Sequence, residues 1–155
     1  MITTLDPAVI RVSVNLTTEI HDAETGATLD RFEVHNLVVN AGLDLVIAAL
    51  NGTAITGVTH MATGTGATAI AAANTTLELE VTREAVTSKT ISGQSLIVKY
   101  YLGSTVGNGN TLRKVGLFNA ASVGTLIAAA LLSTTIPKTS AIAATFTWTI
   151  TLAAS

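Results

Sequence analysis

The sequence predicts a mainly β protein, an antiparallel β-sandwich of jelly-roll-like character with one short α-helix. Three observations carry this. Strict apolar/polar alternation runs through both ends, Ile10, Val12, Val14 and Leu16 against Arg11, Ser13, Asn15 and Thr17, and Phe146, Trp148, Ile150 and Leu152 against Thr145, Thr147, Thr149 and Thr151. Gly, Asn and Ser clusters divide the remainder into short extended runs, eight strands or so in all, the spacing of sandwiches and barrels. Only one segment has helical spacing.

The elements follow in order. Met1–Ala8, with Pro7, has no periodicity and reads as an N-terminal arm, leaving residues 9–155 as a single β-sandwich domain. The first strand runs from Ile10 to about His21, turns over Asp22-Ala23-Glu24-Thr25-Gly26 and returns through Leu29–His35, because an Asp/Glu/Gly cluster between extended runs is hairpin chemistry. Asn40 is placed to cap a helix over Ala41–Leu50. Leu43, Val46, Ile47 and Leu50 fall at i, i+3, i+4 and i+7, the stripe expected to pack on a sheet, and Asn51-Gly52 ends it. Further strands are expected over Val58–Thr63, Leu77–Thr90, Leu96–Leu102, Leu112–Asn119, Leu126–Leu132 and Ala141–Leu152. The run Leu126–Leu132 is apolar without alternation, as in a central strand covered on both sides. Trp148 belongs to the core phase of the last strand.

Composition narrows the function. Charged residues are 12% of the chain, about half the usual share, and the net charge is −2. The eight Lys/Arg are dispersed, so there is no convergent basic surface for phosphates and no nucleic-acid partner is expected. The longest apolar runs fall far short of the ~18–20 residues of a spanning helix, so no membrane partner is expected either. No signal-peptide pattern opens the chain. Absence of cysteine excludes disulfides and thiolate metal sites.

No enzyme signature emerges, and no catalytic residue, cofactor or metal is expected. Gly64-Thr65-Gly66-Ala67-Thr68-Ala69 matches G-x-G-x-x-A, but that fingerprint works at a strand-to-helix turn of a parallel sheet, whereas the turns here are antiparallel. His21, His35 and His60 have no metal-ligand spacing. Asp44, Glu78, Glu80 and Glu84 could offer a carboxylate pair, yet Glu78 and Glu80 alternate with Leu77, Leu79 and Val81 like the wet face of a strand. In Leu112–Asn119 the cations Arg113 and Lys114 enter a strand whose Gly116 leaves room for a neighbouring backbone or ring; Arg113 is expected to pair with Glu80 or Glu84 across strands or subunits.

Four motifs, taken in order, carry a resemblance. His35–Leu50 holds an N-A-G helix start, and Thr59–Gly66 reads T-H-x-A-x-G-x-G. Leu77-x-x-Glu80-x-x-Arg83 follows, and then Leu112–Ser140, with V-G-L-F-N, G-T-L-I-A and a late Pro-Lys step. Together they resemble the N-terminal module of bacteriophage tail-collar fibre proteins and related small virion proteins, from about Asn36 to the C-terminus. Lys114 departs from the pattern, standing where the family usually has Glu. The resemblance implies a non-enzymatic virion protein assembled in the host cytoplasm. With 155 residues and few charges, the expectation is a capsid decoration (cement) protein acting as a homo-oligomer, a trimer by family-level analogy, bound to the major capsid protein. The alternatives are a tail fibre or baseplate component, partnered by tail proteins, and a glycan- or ligand-binding sandwich. The last would need exposed aromatics, and Trp148 is on the apolar phase of its strand.

Overall fold

The computed structural model describes residues 10–154, so the expected arm with Pro7 lies outside the described residues. The elements are β1 (Ile10–Asp22), β2 (Thr28–Val38), α1 (Asn40–Leu50), β3 (His60–Gly64), β4 (Glu80–Ala85), β5 (Ser88–Ser92), β6 (Ser95–Leu102), β7 (Thr111–Phe118), β8 (Leu126–Pro137) and β9 (Ile142–Ala154). They form one antiparallel nine-stranded sheet in the order β4-β3-β7-β8-β2-β1-β9-β6-β5, curled into a half-barrel. The fold is mainly β with one short helix, as the sequence predicts.

The curl brings two halves of the sheet face to face. β2 joins them, pairing with β1 along most of its length and with β8 only through Leu37↔Ala129 and Val38↔Ala128. The first described strand and the last are neighbours in the middle of the sheet, and β1 pairs with β9 along all 13 of its residues.

The core fills the concave side. Trp148, Phe146, Leu16, Val98 and Tyr100 come from one half, and Met61, Leu112, Val115 and Leu117 from the other. Trp148 is fully buried and its indole Nε1 donates to Met61 Sδ across the interior at 3.4 Å, so the last strand has the expected phase. On the opposite face of the β3–β7–β8 half lies a second, smaller core of Val39, Ala62, Leu77, Phe118, Leu126 and Ala129, covered by α1 and the segment 65–79. β8 is therefore enclosed on both sides from Leu126 to Ala130, as its unbroken apolar run anticipates.

Four expectations need correction. The run Leu77–Thr90 is two strands. Its chain leaves β3 at Val86, whose N–H donates to Thr59 O, and joins β6 at Thr87, whose N–H donates to Lys99 O. Both pieces are extended, so the alternation does not reveal that the partner changes. Residues 77–79 are a turn that places Leu79 at φ 50°. The helix N-cap is Val39, without a side-chain cap bond, and Asn40 is the first helical residue. Finally, α1 packs through Gly42, Leu45 and Ala48, leaving Leu43, Val46, Ile47 and Leu50 outward. The cause is Gly42: a Cβ there would collide with the backbone carbonyl of Ile127, and its absence lets the helix settle on β8 glycine side down.

Candidate functional site

The motif residues converge on the covered outer face of β3, β7 and β8. Every segment that carries the resemblance contributes to the second core: Val39 from the first, Ala62 from the second, Leu77 from the third, and Phe118, Leu126 and Ala129 from the fourth. Gly64 and Gly66 serve this layer. A Cβ on Gly64 would stand 2.6 Å from Glu78 O, and one on Gly66 would overlap the Glu78 carboxylate, so the G-x-G pattern clears a path for the 77–79 turn. It is a packing device here.

Glu78 is therefore no exposed strand residue. Its Oε2 accepts from Lys114 Nζ at 2.5 Å and from Thr68 N–H at 3.1 Å, and its Oε1 accepts from Thr68 Oγ1 at 3.0 Å. These bonds, led by that from Lys114, hold its carboxyl below the usual range. Lys114 is buried. A register shift at Arg113 turns Leu112 into the concave core while Lys114 shares the outer face with Gly116 and Phe118. The expected room beside Gly116 is taken by Leu126, Leu77 and the Phe118 ring.

Arg83 forms the second polar cluster. Its Nε and Nη2 donate to the two Glu80 oxygens at 2.7 Å each, and Nη1 donates to Val123 O at 2.7 Å and Ala120 O at 3.3 Å. The guanidinium lies 3.5 Å above the Phe118 ring centroid. A bidentate, stacked arginine is a rigid clamp, and this one ties edge strand β4 to the loop between β7 and β8. In that loop Val123 sits at φ 55°. The L-x-x-E-x-x-R spacing thus supplies one buried anchor, Leu77, and one internal ion pair, Glu80–Arg83.

Within the chain, Arg113 does not pair with Glu80 or Glu84. Glu80 is taken by Arg83, and Glu84 accepts from the Tyr100 hydroxyl at 2.7 Å inside the half-barrel. Burial, followed by that bond to a carboxylate, raises the Tyr100 phenol well above its ordinary range. Among the described residues Arg113 makes no hydrogen bond or ion pair. Lys138, which pattern reading did not single out, is buried without a carboxylate: Nζ donates to Asn108 Oδ1 at 2.8 Å and Thr139 O at 2.9 Å, and desolvation lowers its pKa. Its only sequence signal is the Pro137-Lys138 step of the fourth motif.

These clusters offer little chemistry beyond structure. His21 contacts Thr145, His60 contacts Thr59, and among the described residues no group of three His, Asp or Glu could hold a metal ion. Asp44 is exposed on α1 and makes no ion pair among the described residues. The Glu78–Lys114 pair borders a shallow cleft of about 230 Å³ with Thr68, Asn74 and Thr76. Its two charges are directed at each other. No helix among the described residues is long and apolar enough to cross a membrane. No family model matches the chain, and neither a curated protein nor a solved structure matches it.

Proposed function

We propose that this chain is a non-enzymatic structural subunit of a bacteriophage virion, a capsid decoration protein that acts as a homo-oligomer. One observation carries the reading. The ordered motifs that resemble the phage module, scattered from Val39 to Ala129, meet in one packed layer, and four of their charged residues, Glu78, Lys114, Glu80 and Arg83, make internal bonds. A signature that specifies a scaffold rather than a pocket suits a protein whose work is to be held in an assembly. The charge-poor composition points the same way.

The test is location. Heads and tails purified separately from phage that encode this chain should show it on heads, as a stoichiometric band and as density on the capsid surface in electron cryomicroscopy. Recovery on tails alone would move the assignment to a tail fibre or baseplate component. Absence from both would end the virion reading.

A further inference from the structure

The chain has two Asn-Gly steps, Asn51-Gly52 after α1 and Asn108-Gly109 in the loop between β6 and β7. In this dipeptide an asparagine amide is most open to attack by the next backbone nitrogen, because glycine puts no side chain in the way. The two sites are closely matched. Both asparagines and both glycines are exposed, Gly52 and Gly109 have φ 78° and 84°, and their N–H groups donate to Ala49 O at 3.0 Å and Lys138 O at 2.9 Å. Each asparagine also donates from Nδ2, Asn51 to Thr53 Oγ1 at 3.3 Å and Asn108 to Ser104 O at 2.8 Å. They differ at the amide oxygen. Asn108 Oδ1 accepts from Lys138 Nζ at 2.8 Å, whereas Asn51 Oδ1 has no hydrogen-bond partner among the described residues. Lys138 is 1% exposed, and its two acceptors, Asn108 Oδ1 and Thr139 O, are both neutral. A buried cation without a carboxylate is a costly arrangement. Backbone bonds of 2.9 Å, from Lys138 N–H to Asn110 O and from Gly109 N–H to Lys138 O, hold loop and lysine in register.

We propose that Asn108 is a site of spontaneous deamidation that Lys138 promotes and directs, giving an aspartate whose carboxylate completes an ion pair with Lys138. Gly109 N gives up its proton to hydroxide and attacks Asn108 Cγ; Nδ2 takes a proton from water and leaves as ammonia, closing a cyclic imide. The bond from Gly109 N–H to Lys138 O must open first, as the Gly52 bond must at the other site, so both reactions are slow and the partner of the amide oxygen sets the difference between them. In the tetrahedral intermediate negative charge gathers on Asn108 Oδ1, where Lys138 Nζ already donates. The imide then takes up one water. Attack at Cγ, the carbonyl that Lys138 polarises, frees Gly109 N and restores the normal main chain with an aspartate side chain. Attack at the main-chain carbonyl gives isoaspartate, the main product of free Asn-Gly peptides. The sum is one water consumed and one ammonia released, with no oxidant or cofactor. The new carboxylate supplies the charge that the buried lysine lacks. The inference does not depend on the virion reading.

Peptide mapping by mass spectrometry, on the full chain held at physiological temperature and neutral pH, tests the proposal by following the amide-to-acid mass gain at each asparagine. Asn108 should deamidate about tenfold faster than Asn51, less than the ~10²–10³ that an enclosed oxyanion donor supplies because Asn108 itself is exposed. Its product should be mainly normal aspartate. Lys138→Met, which keeps most of the buried stem and removes the ammonium, should lower the Asn108 rate to that of Asn51 and shift the product toward isoaspartate. Asn108→Asp should raise the thermal midpoint above that of the wild type, and the gain should disappear when Lys138→Met is added. If Lys138→Met loses the wild-type far-ultraviolet circular dichroism, the comparison of the two sites in the wild type and the midpoint of Asn108→Asp decide the matter. The proposal is overturned if Asn108 reacts no faster than Asn51, if its product is mainly isoaspartate, if a folded Lys138→Met protein deamidates at the wild-type rate, or if Asn108→Asp is no more stable than the wild type. A lasting mass loss of one ammonia, with a branched peptide joining Asn108 to Lys138, also overturns it, because the lysine would then be the attacking group.

Discussion

Replacing Trp148 with alanine tests the concave core directly. The indole is fully buried between Leu16 and Val98, its cross-strand neighbours, and Met61 on the facing half. An aromatic ring of this kind removes about 150–250 Å² from water, which at ~25 cal/mol per Å² sets an upper estimate of roughly 4–6 kcal/mol. Measured truncations of buried Phe and Trp centre on about 3–5 kcal/mol, and that is the expected loss. For a chain of this length it lowers the thermal midpoint by roughly 6–20 °C. Thr147, one residue away, faces outward between Thr17 and Lys99, so Thr147→Ala should stay within about 1 kcal/mol. Chemical denaturation followed by circular dichroism reads both variants without relying on the tryptophan itself. Equal midpoints for the two would refute the alternation on which the core assignment rests.

Two further substitutions probe the helix and the ion pair between Glu78 and the buried Lys114. Gly42→Ala should destabilise the protein by about 1–3 kcal/mol despite alanine's higher helix propensity, because the new methyl meets the Ile127 carbonyl; Gly57→Ala, with no atom within 4 Å of the added carbon, should change stability by less than about 0.5 kcal/mol. A neutral or stabilised Gly42→Ala protein would mean that α1 does not seat on β8 as described. Glu78 has a folded pKa depressed below its ordinary 4.5, so its contribution is present above that value and is lost as pH falls through the folded pKa. The stability gap between wild type and Glu78→Gln should accordingly shrink on acidification from about pH 6 to pH 3; a gap that stays constant would remove the carboxylate from the account.

Strands and turns were the most legible part of the sequence because their signals are local. The hairpin over Asp22–Gly26 is one case: Asp22 Oδ1 accepts from the N–H groups of Glu24 and Thr25, and Gly26 takes φ 75°, which is what that residue cluster is suited to do. The orientation of α1 was not legible. Hydrophobic spacing finds the apolar stripe, but it cannot weigh that stripe against one glycine that permits a closer approach on the other side. Lys114 was hidden by the register shift at Arg113, which transfers the following residues to the opposite face without any mark in the alternation. Glu78 was misread for a related reason. Flanked by leucines it looks like the wet face of a strand, and only the glycines at 64 and 66, fourteen and twelve residues upstream, make room for its carboxylate over Lys114. The motif order did indicate which residues belong together. It did not show that they would meet in the second core.

The pairing of β1 with β9 has a kinetic consequence. Because each forms part of the middle of the sheet, neither β1 nor β6 has its full complement of backbone partners until residues 142–154 are available. At ~5–20 residues per second the open edge of β1 waits roughly 7–26 s, and that of β6 roughly 3–10 s, before the closing strand is complete. The longest ladder in the molecule is also its most non-local contact, so loop-closure entropy must be overcome before that pairing can stabilise anything, and folding is slow for the chain's length. The half of the sheet that holds β1 and β6 is completed last, when β9 enters between them.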